Sequence, residues 1–536
     1  MTYDEGRMMK TITTARGKFA SAGLAVALMV AAVPATAQQV TLQSYDGTIT
    51  LRGDLVDFDG QNYQIATAIG TITIDAYQVS CEGESCPDPS LLQSEFRIVG
   101  SDTIGVDLMP ALVEGYSFAL DADIASNVIN SDGSVDLAIE DLSGGRIADI
   151  EIASFSSGDG FEALLDGSAS IGMASRQVRP REAQEFEAAN LGNLTTPEQE
   201  HILALDGILV ITSRSNPVRN LSIEEMAGIF AGDITNWSEV GGPTAPINVY
   251  TRDEGAGTRT VFEQNVMELI GADITASAEV IADNADLSDA VANDPFGIGY
   301  TGYANERNAR AVGIEDVCGI VTEPTVFNIK AEEYPLARRL YLYTTNGSLP
   351  NHARNLIDFV NSEAAQDIIA DAGFIDQGIS GAAMNEQGLR LASAMLTAED
   401  LDQLNSVRDF ASLMLNAERL STTLRFQPGS SLLDAKAQRD VVRIADMLAR
   451  GSFDNKELLL VGFTDSIGRP DLNRALSERR AEQVLEAIQA AAPSGSLSDQ
   501  QLTVLGFGEI SPVGCNETFA GRQVNRRVEI WVRDRT

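Results

Sequence analysis

Thr251-Arg-Asp-Glu-Gly-Ala-Gly-Thr-Arg-Thr-Val-Phe-Glu-Gln264 decides how the rest of the chain is read. It follows a short strand-like run, Ile247 to Tyr250, and leads into a helical pattern that places Phe262, Val266 and Leu269 on one side. Glycines at a helix start leave backbone N–H groups unpaired and let a ligand approach them closely. The helix dipole adds partial positive charge there, so the turn is preset for an anion. Arg252 brings a planar fork matched to two oxygens of a tetrahedral oxyanion, and Arg259 adds charge nearby. Glu254 should repel an anion, unless that anion keeps a proton for Glu254 to accept. Taken alone, such a glycine-rich turn is equally an ordinary loop.

Composition narrows the choice. A chain of 536 residues is too long for one core and implies three or four domains. Its 77 acidic against 38 basic residues, net charge −39, argue against a nucleic-acid partner, which needs a basic face. An anion site in this chain must rely on local arginines and amides against an unfavourable long-range field. The two histidines, His201 and His352, stand beside no nucleophile, and no metal-ligand spacing occurs. A hydrolase is therefore disfavoured, and no cofactor is expected. Arg7, Lys10, Arg16 and Lys18 precede an apolar run from Phe19 to Val33, then Ala35-Thr36-Ala37. Residues 1–37 thus read as an export signal, the run being shorter than the roughly 20 residues of a membrane span. In an exported chain cysteines form disulfides. Cys81 and Cys86 flank a polar turn and pair locally, whereas Cys318 and Cys515 either bridge two domains or stay free.

Residues 38–90 read as a small β unit. Thr48-Ile-Thr-Leu-Arg, Asp54-Leu-Val-Asp-Phe, Asn62-Tyr-Gln-Ile-Ala and Gly70-Thr-Ile-Thr-Ile-Asp alternate apolar and polar residues, with a turn at Asp59-Gly60. From Phe96 strands alternate with helices, the pattern of α/β layers. Phe96 to Gly105, Ile150 to Gly160 and Ala169 to Arg176 are strands that end in Ser, Thr, Gly or Arg. Each such end is usually a helix cap, but together they form the crevice where an α/β sheet binds its ligand. Residues 381–416 form a helical connector that could pack on either neighbour, and 417–536 an α+β unit. Along its helix from Leu472 to Ala490, Asn473, Ser477 and Arg480 fall inside the apolar arc, while Arg479 faces outward. An arginine so placed needs a partner or a ligand, and Asp465 at the preceding strand end is the natural carboxylate.

Arg252-Asp-Glu-Gly-Ala-Gly-Thr-Arg259 resembles the anion loop of periplasmic phosphate-binding proteins of ABC transporters. The likeness continues in the family's order through Leu203 to Pro217, Leu221 to Trp237, Gly297 to Tyr303, Tyr334 to Tyr343 and Phe359 to Ile369. It implies a two-lobed fold over 91–380, phosphate as first-choice ligand and an ABC permease as partner. The implied ligand contacts are Thr103, Ile104, Ser157, Arg176, Arg252, Glu254, Gly255, Ala256, Gly257 and Thr258. Some relatives carry Asp where Arg176 and Glu254 stand, and Ala256 replaces a common Ser. Preference for phosphate over sulfate then rests on Glu254, which a fully ionised sulfate would leave desolvated and unpaired.

Gly462-Phe-Thr-Asp-Ser-Ile-Gly468, Asn473-Arg-Ala-Leu-Ser-Glu-Arg-Arg-Ala481 and Asn525-Arg-Arg-Val-Glu529 resemble the OmpA-type peptidoglycan-binding domain. That likeness implies that Asp465 takes the ammonium and Arg480 the carboxylate of a diaminopimelate side chain. Thr464, Asn473, Asn525 and Arg526 are the implied supports, and the implied location is the periplasm of a Gram-negative-type envelope. The reading from sequence is an exported, wall-tethered oxyanion-binding protein. A structural envelope protein whose two-lobed domain is a spacer or partner module remains the alternative, for which Ala256 and Arg176 leave room.

Overall fold

The computed structural model describes residues 39–44, 49–58, 62–68, 70–76, 79–83, 85–87, 94–254, 256–347, 349–396, 398, 400–426, 432–493, 495–497 and 500–535. The expected export signal, the Asp59-Gly60 turn and Gly255 lie outside the described residues. The chain divides into two compact units, one ending at Asp88 and one beginning at Pro89.

The first unit is an antiparallel sheet in the order Gly70–Asp75, Asn62–Thr67, Thr50–Phe58, Gln39–Ser44, Val79–Glu82. Val40, Leu42, Tyr63 and Ile65 form its core. The runs around Thr48 and Asp54, read as separate, are one strand. Gly53 between them is no turn: a Cβ there would stand 2.5 Å from the carbonyl oxygen of Ala66, so the glycine permits close approach of the next strand. Cys81 and Cys86 are disulfide-bonded.

The second unit contains two α/β lobes threaded by one pair of strands. One lobe is built on parallel strands Ile171–Ala174, Ser94–Ser101 and Arg146–Phe155, extended by the antiparallel strands Val135–Asp141 and Ala122–Ile129. The other holds Gly297–Gly302, Asn248–Thr251 and Glu279–Val280. Strand Glu200–Thr212 and its antiparallel partner Ala337–Tyr343 run through both. Leu203 and Ala204 belong to the core of the first lobe, with Ile98, Leu112 and Met173. Leu205 and Ile208 to Ile211 belong to that of the second, with Trp237, Phe262 and Tyr300. The return strand divides in the same way, with Ala337 packed on one core and Leu340 in the other. The lobes therefore meet at Ala204/Leu205 and Arg338/Arg339.

The helical face expected to hold Phe262, Val266 and Leu269 does not extend to Leu269. Phe262 and Val266 are buried, but Leu269 is 63% exposed. Helix Gly257–Phe262 gives way to a wider turn in which the amide of Glu268 donates to the carbonyl of Glu263, five residues back. The extra residue rotates Leu269 off the apolar face.

In the C-terminal part a sheet runs Gly381–Ala383, Ala417–Arg425, Arg527–Asp534, Lys456–Gly462, Gln501–Gly506. Helices Ala435–Ala449 and Pro470–Ala491 pack one face around Leu458, Val484 and Ile530. Helix Leu401–Met414 brings Val407 and Phe410 to the other, against Phe463 and Trp531. The residues between 381 and 416 thus pack on this sheet and add a strand to it.

Candidate functional site

Strand ends and helix starts carry the polar groups between the lobes. Gly100 closes strand Ser94–Ser101 at φ 142°, and a Cβ there would stand 2.0 Å from the carbonyl of Met173, so only glycine lets the two strand ends lie this close. Past it, Ser101 is fully buried with its hydroxyl unpartnered, and the amide of Thr103 donates to Asp102 Oδ1 at 2.7 Å. Ile104 is buried behind them. Ser157 opens helix Ser157–Leu165, held by a reciprocal cap between Ser156 and Asp159. Its hydroxyl accepts from the amide of Ser175 at 3.1 Å and lies 3.3 Å from the Ser175 hydroxyl.

From the second lobe, Ala256 and Gly257 start helix Gly257–Phe262 with no side-chain cap, and Thr258 is buried beneath. First-turn amides of such a helix have no intrahelical acceptor. Gly257 faces the other lobe directly. A methyl on it would stand 2.9 Å from Ser175 Oγ and 3.5 Å from both Asp102 Oδ1 and Thr103 Oγ1. Arg338 donates to the Gly257 carbonyl at 3.5 Å and is neutralised by buried Asp206, with contacts of 2.9 and 2.6 Å. Arg252 is 5% exposed. Its guanidinium bonds Asn284 Oδ1 and lies 3.6 Å from Asp253, while its Nε is buried without a partner. Tyr300 receives the Arg252 amide and bonds Thr251, and burial pushes its phenol up to about 12.

Three predicted residues are placed elsewhere. Arg176 makes a two-pronged pair with Glu182 at 2.9 and 2.7 Å and lies over the Phe161 ring at 5.1 Å, all inside the first lobe. Arg259 binds Glu263 at 2.7 Å and the Arg252 carbonyl at 3.0 Å, so it braces the loop. Glu254 is exposed on the turn. The carboxylate beside Gly257 is Asp102, which has no sequence signal of its own, nor has Arg338; Ser175 is the hydroxyl of the strand end Ala169 to Arg176.

A second polar cluster sits in the C-terminal part. Asp465 pairs with Arg526 at 2.7 Å, not with Arg480, and also accepts from the Ile467 amide at 3.1 Å. Arg480 lies over the Phe426 ring at 5.5 Å, and its Nη1 is buried without a partner, as is the hydroxyl of Thr464. Burial, then the like charge of Arg526, pull the Arg480 guanidinium below its ordinary value, against the attraction of Asp465. Asn473 donates to the Asp465 carbonyl at 3.3 Å and to Glu509 at 2.6 Å. Asn525 holds the adjoining loop, accepting from the amides of Val513 and Gly514 and donating to the Gly514 carbonyl. Cys515 in that loop is disulfide-bonded to Cys318 of the second lobe, which decides between the two states left open by sequence.

Two α/β lobes on a shared pair of crossing strands, with uncapped amides and hydroxyls facing each other across their junction, define a two-lobed binding protein. A family model described as PBP superfamily domain matches residues 129–364, and one described as OmpA family matches 425–526. The chain is 29% identical over 182 residues to phosphate-binding protein PstS of Borreliella burgdorferi, covering 33% of this chain and 65% of that one. It is 30% identical over 227 residues to phosphate-binding protein PstS of Staphylococcus haemolyticus, covering 41% and 69%. The crystal structure of an ABC-type phosphate transport receptor from Vibrio cholerae matches with 26% identity and a TM-score of 0.41, over 52% of this chain and 99% of that one. The chain belongs to the PstS family of the PBP superfamily and carries a C-terminal OmpA family domain.

Proposed function

We propose that this protein captures an oxyanion, phosphate first, between its lobes in the periplasm, and is held to peptidoglycan by its C-terminal domain. The observation that carries the reading is the approach of Gly257 to Ser175, Asp102 and Thr103 across the lobe junction. The hydroxyl of Ser101, next to Asp102, and the Nε of Arg252, in the turn before Gly257, are buried without partners. Buried donors without partners carry a desolvation cost that a tetrahedral anion would relieve. Thr103, Ile104, Ser157, Ala256, Gly257, Thr258 and Arg252 are the proposed anion residues, with Ser175 added. The family's phosphate-binding members support the choice of ion. Asp102 takes the role foreseen for Glu254, accepting the proton that hydrogen phosphate keeps and sulfate lacks. At the second site Asp465, Arg480 and Arg526 grip a diaminopimelate end, with Thr464, Asn473 and Asn525 in support. Delivery to an ABC permease follows the family and is part of the proposal.

Calorimetric titration of the exported chain with phosphate, arsenate and sulfate tests the first site, and sedimentation with sacculi tests the second. Arg252→Ala is expected to abolish anion heat and leave sedimentation intact, while Asp465→Ala does the reverse. A wild-type chain that gives no heat with any of the three ions, yet still sediments, would support the spacer alternative.

A further inference from the structure

The cleft beside the C-terminal cluster is part of one cavity of about 1870 Å³ that continues past Ser175 and Arg338 at the lobe junction, against roughly 300–1,000 Å³ for the pocket of a small ligand. One side is lined by Arg479, Arg480 and Arg526 of the C-terminal domain, the other by Gln264, Glu224 and Glu315 of the second lobe. We infer that the peptidoglycan stem peptide is held between these two walls, so that the wall-binding site is composite and the second lobe supplies half of it. This rests on the peptidoglycan reading above and names where the rest of the stem goes.

Two short routes tie the opposing walls together. Arg480 stacks on Phe426, and the preceding residue, Arg425, pairs with Glu332 of the second lobe at 2.8 Å. On the other side Asn525 holds Gly514, and the next residue, Cys515, is bonded to Cys318, while its amide donates to Asp316 at 2.8 Å. The walls are thereby kept at a set separation, as a preorganised groove needs. Their charges are opposite and complementary to the ligand. A diaminopimelate-type stem carries carboxylates and a free ammonium; arginines line one wall and the exposed carboxylates of Glu224 and Glu315 the other. Arg480, whose Nη1 is buried without a partner, belongs both to the small cluster and to the lining of this cleft.

The test uses the full-length oxidised chain and two soluble probes, free meso-diaminopimelate and a disaccharide tripeptide ending in diaminopimelate. The muropeptide is expected to bind at least tenfold more tightly than the free amino acid. Glu315→Lys, an exposed change, is expected to remove most of that difference while leaving the affinity for free diaminopimelate unchanged. Equal affinity for both probes, with no effect of Glu315→Lys, overturns the composite site and leaves the wall reading standing. Failure of the wild-type chain to bind either probe, or sacculi, overturns the wall reading and the composite site with it.

Discussion

Gly257→Ala separates closure of the lobes from stability of the fold. The glycine starts helix Gly257–Phe262 and has no positive φ, so alanine adopts its backbone without strain. Alanine also favours helix over glycine by up to about 1 kcal/mol. The apo protein should therefore unfold at the same temperature or slightly higher. The added methyl, however, would stand 2.9 Å from Ser175 Oγ, roughly half an ångström inside ordinary contact, at the point where the lobes meet. Ser175 can yield only by giving up the Ser157 hydroxyl at 3.3 Å, otherwise the lobes must part. Overpacking of this kind costs about 1–3 kcal/mol, which weakens anion binding roughly 5- to 150-fold. Calorimetric titration with phosphate and thermal unfolding without it read the two effects independently. Wild-type affinity in Gly257→Ala would show that this glycine does not face the bound anion. A loss of several kcal/mol in apo stability would show the site to be structural.

Two further outcomes follow from named groups. Asp102→Asn should narrow the preference for phosphate over sulfate at least tenfold, because the amide no longer needs a donor on the ion; competition of sulfate against radiolabelled phosphate reads this, and an unchanged ratio returns the role to Glu254. Burial holds His352 near 4, and burial, then Arg439, hold His201 near 4, against a usual 6.5. Both are thus neutral when folded and gain protons on unfolding as pH falls from 6.5 toward 4. Stability should fall over that window by up to about 3 kcal/mol per histidine. Urea unfolding at pH 6.5 and 5 measures the upper part, before Glu332 and Glu529, whose pairing with arginines holds them low, begin to act. No change between the two pH values would contradict the neutral, buried assignment.

The lobes, the helix start at Gly257 and the polar cluster around Asp465 are legible because each is a local pattern: a strand end followed by a helix start, or an arginine within an apolar arc. What escaped was set by distant or competing partners. Arg176 reads as a ligand at a strand end, yet Glu182 in the first turn of the next helix claims it. Arg480 reads as the partner of Asp465 at the preceding strand end, but Arg526, 61 residues from Asp465, takes that carboxylate. The bond from Arg252 to Asn284 has no local signal at all. Nor do half-buried Glu332, paired with Arg339 and Arg425, and buried Glu333, paired with Arg419, where the C-terminal domain docks.

That docking bears on how the lobes move. Successive residues of a strand point to opposite faces, and Arg338 and Arg339 do so at the lobe junction. Arg338 turns to Asp206 and Gly257; Arg339 turns to Glu332 and to Asp434 of the C-terminal domain. To the second lobe that domain is joined by a disulfide and by the buried pairs of Arg419 and Arg425. Its ties toward the first lobe are weaker. Arg439 donates to the Glu200 carbonyl at 3.1 Å, Arg443 to the carbonyl of Gln377 at 2.9 Å, and Arg450 reaches exposed Glu363 only at 4.0 Å, with no disulfide or buried ion pair on that side among the described residues. If the lobes hinge at Ala204/Leu205 and Arg338/Arg339, the C-terminal domain should travel with the second lobe. No free cysteine occurs among the described residues, so engineered ones can be spin-labelled selectively. Labels at Arg181 and Arg479 should change separation when phosphate is added, while labels at Glu224 and Arg479 should not. A shift in the second pair would mean that the interface itself opens, and the composite wall groove could not then keep its width while the anion is exchanged.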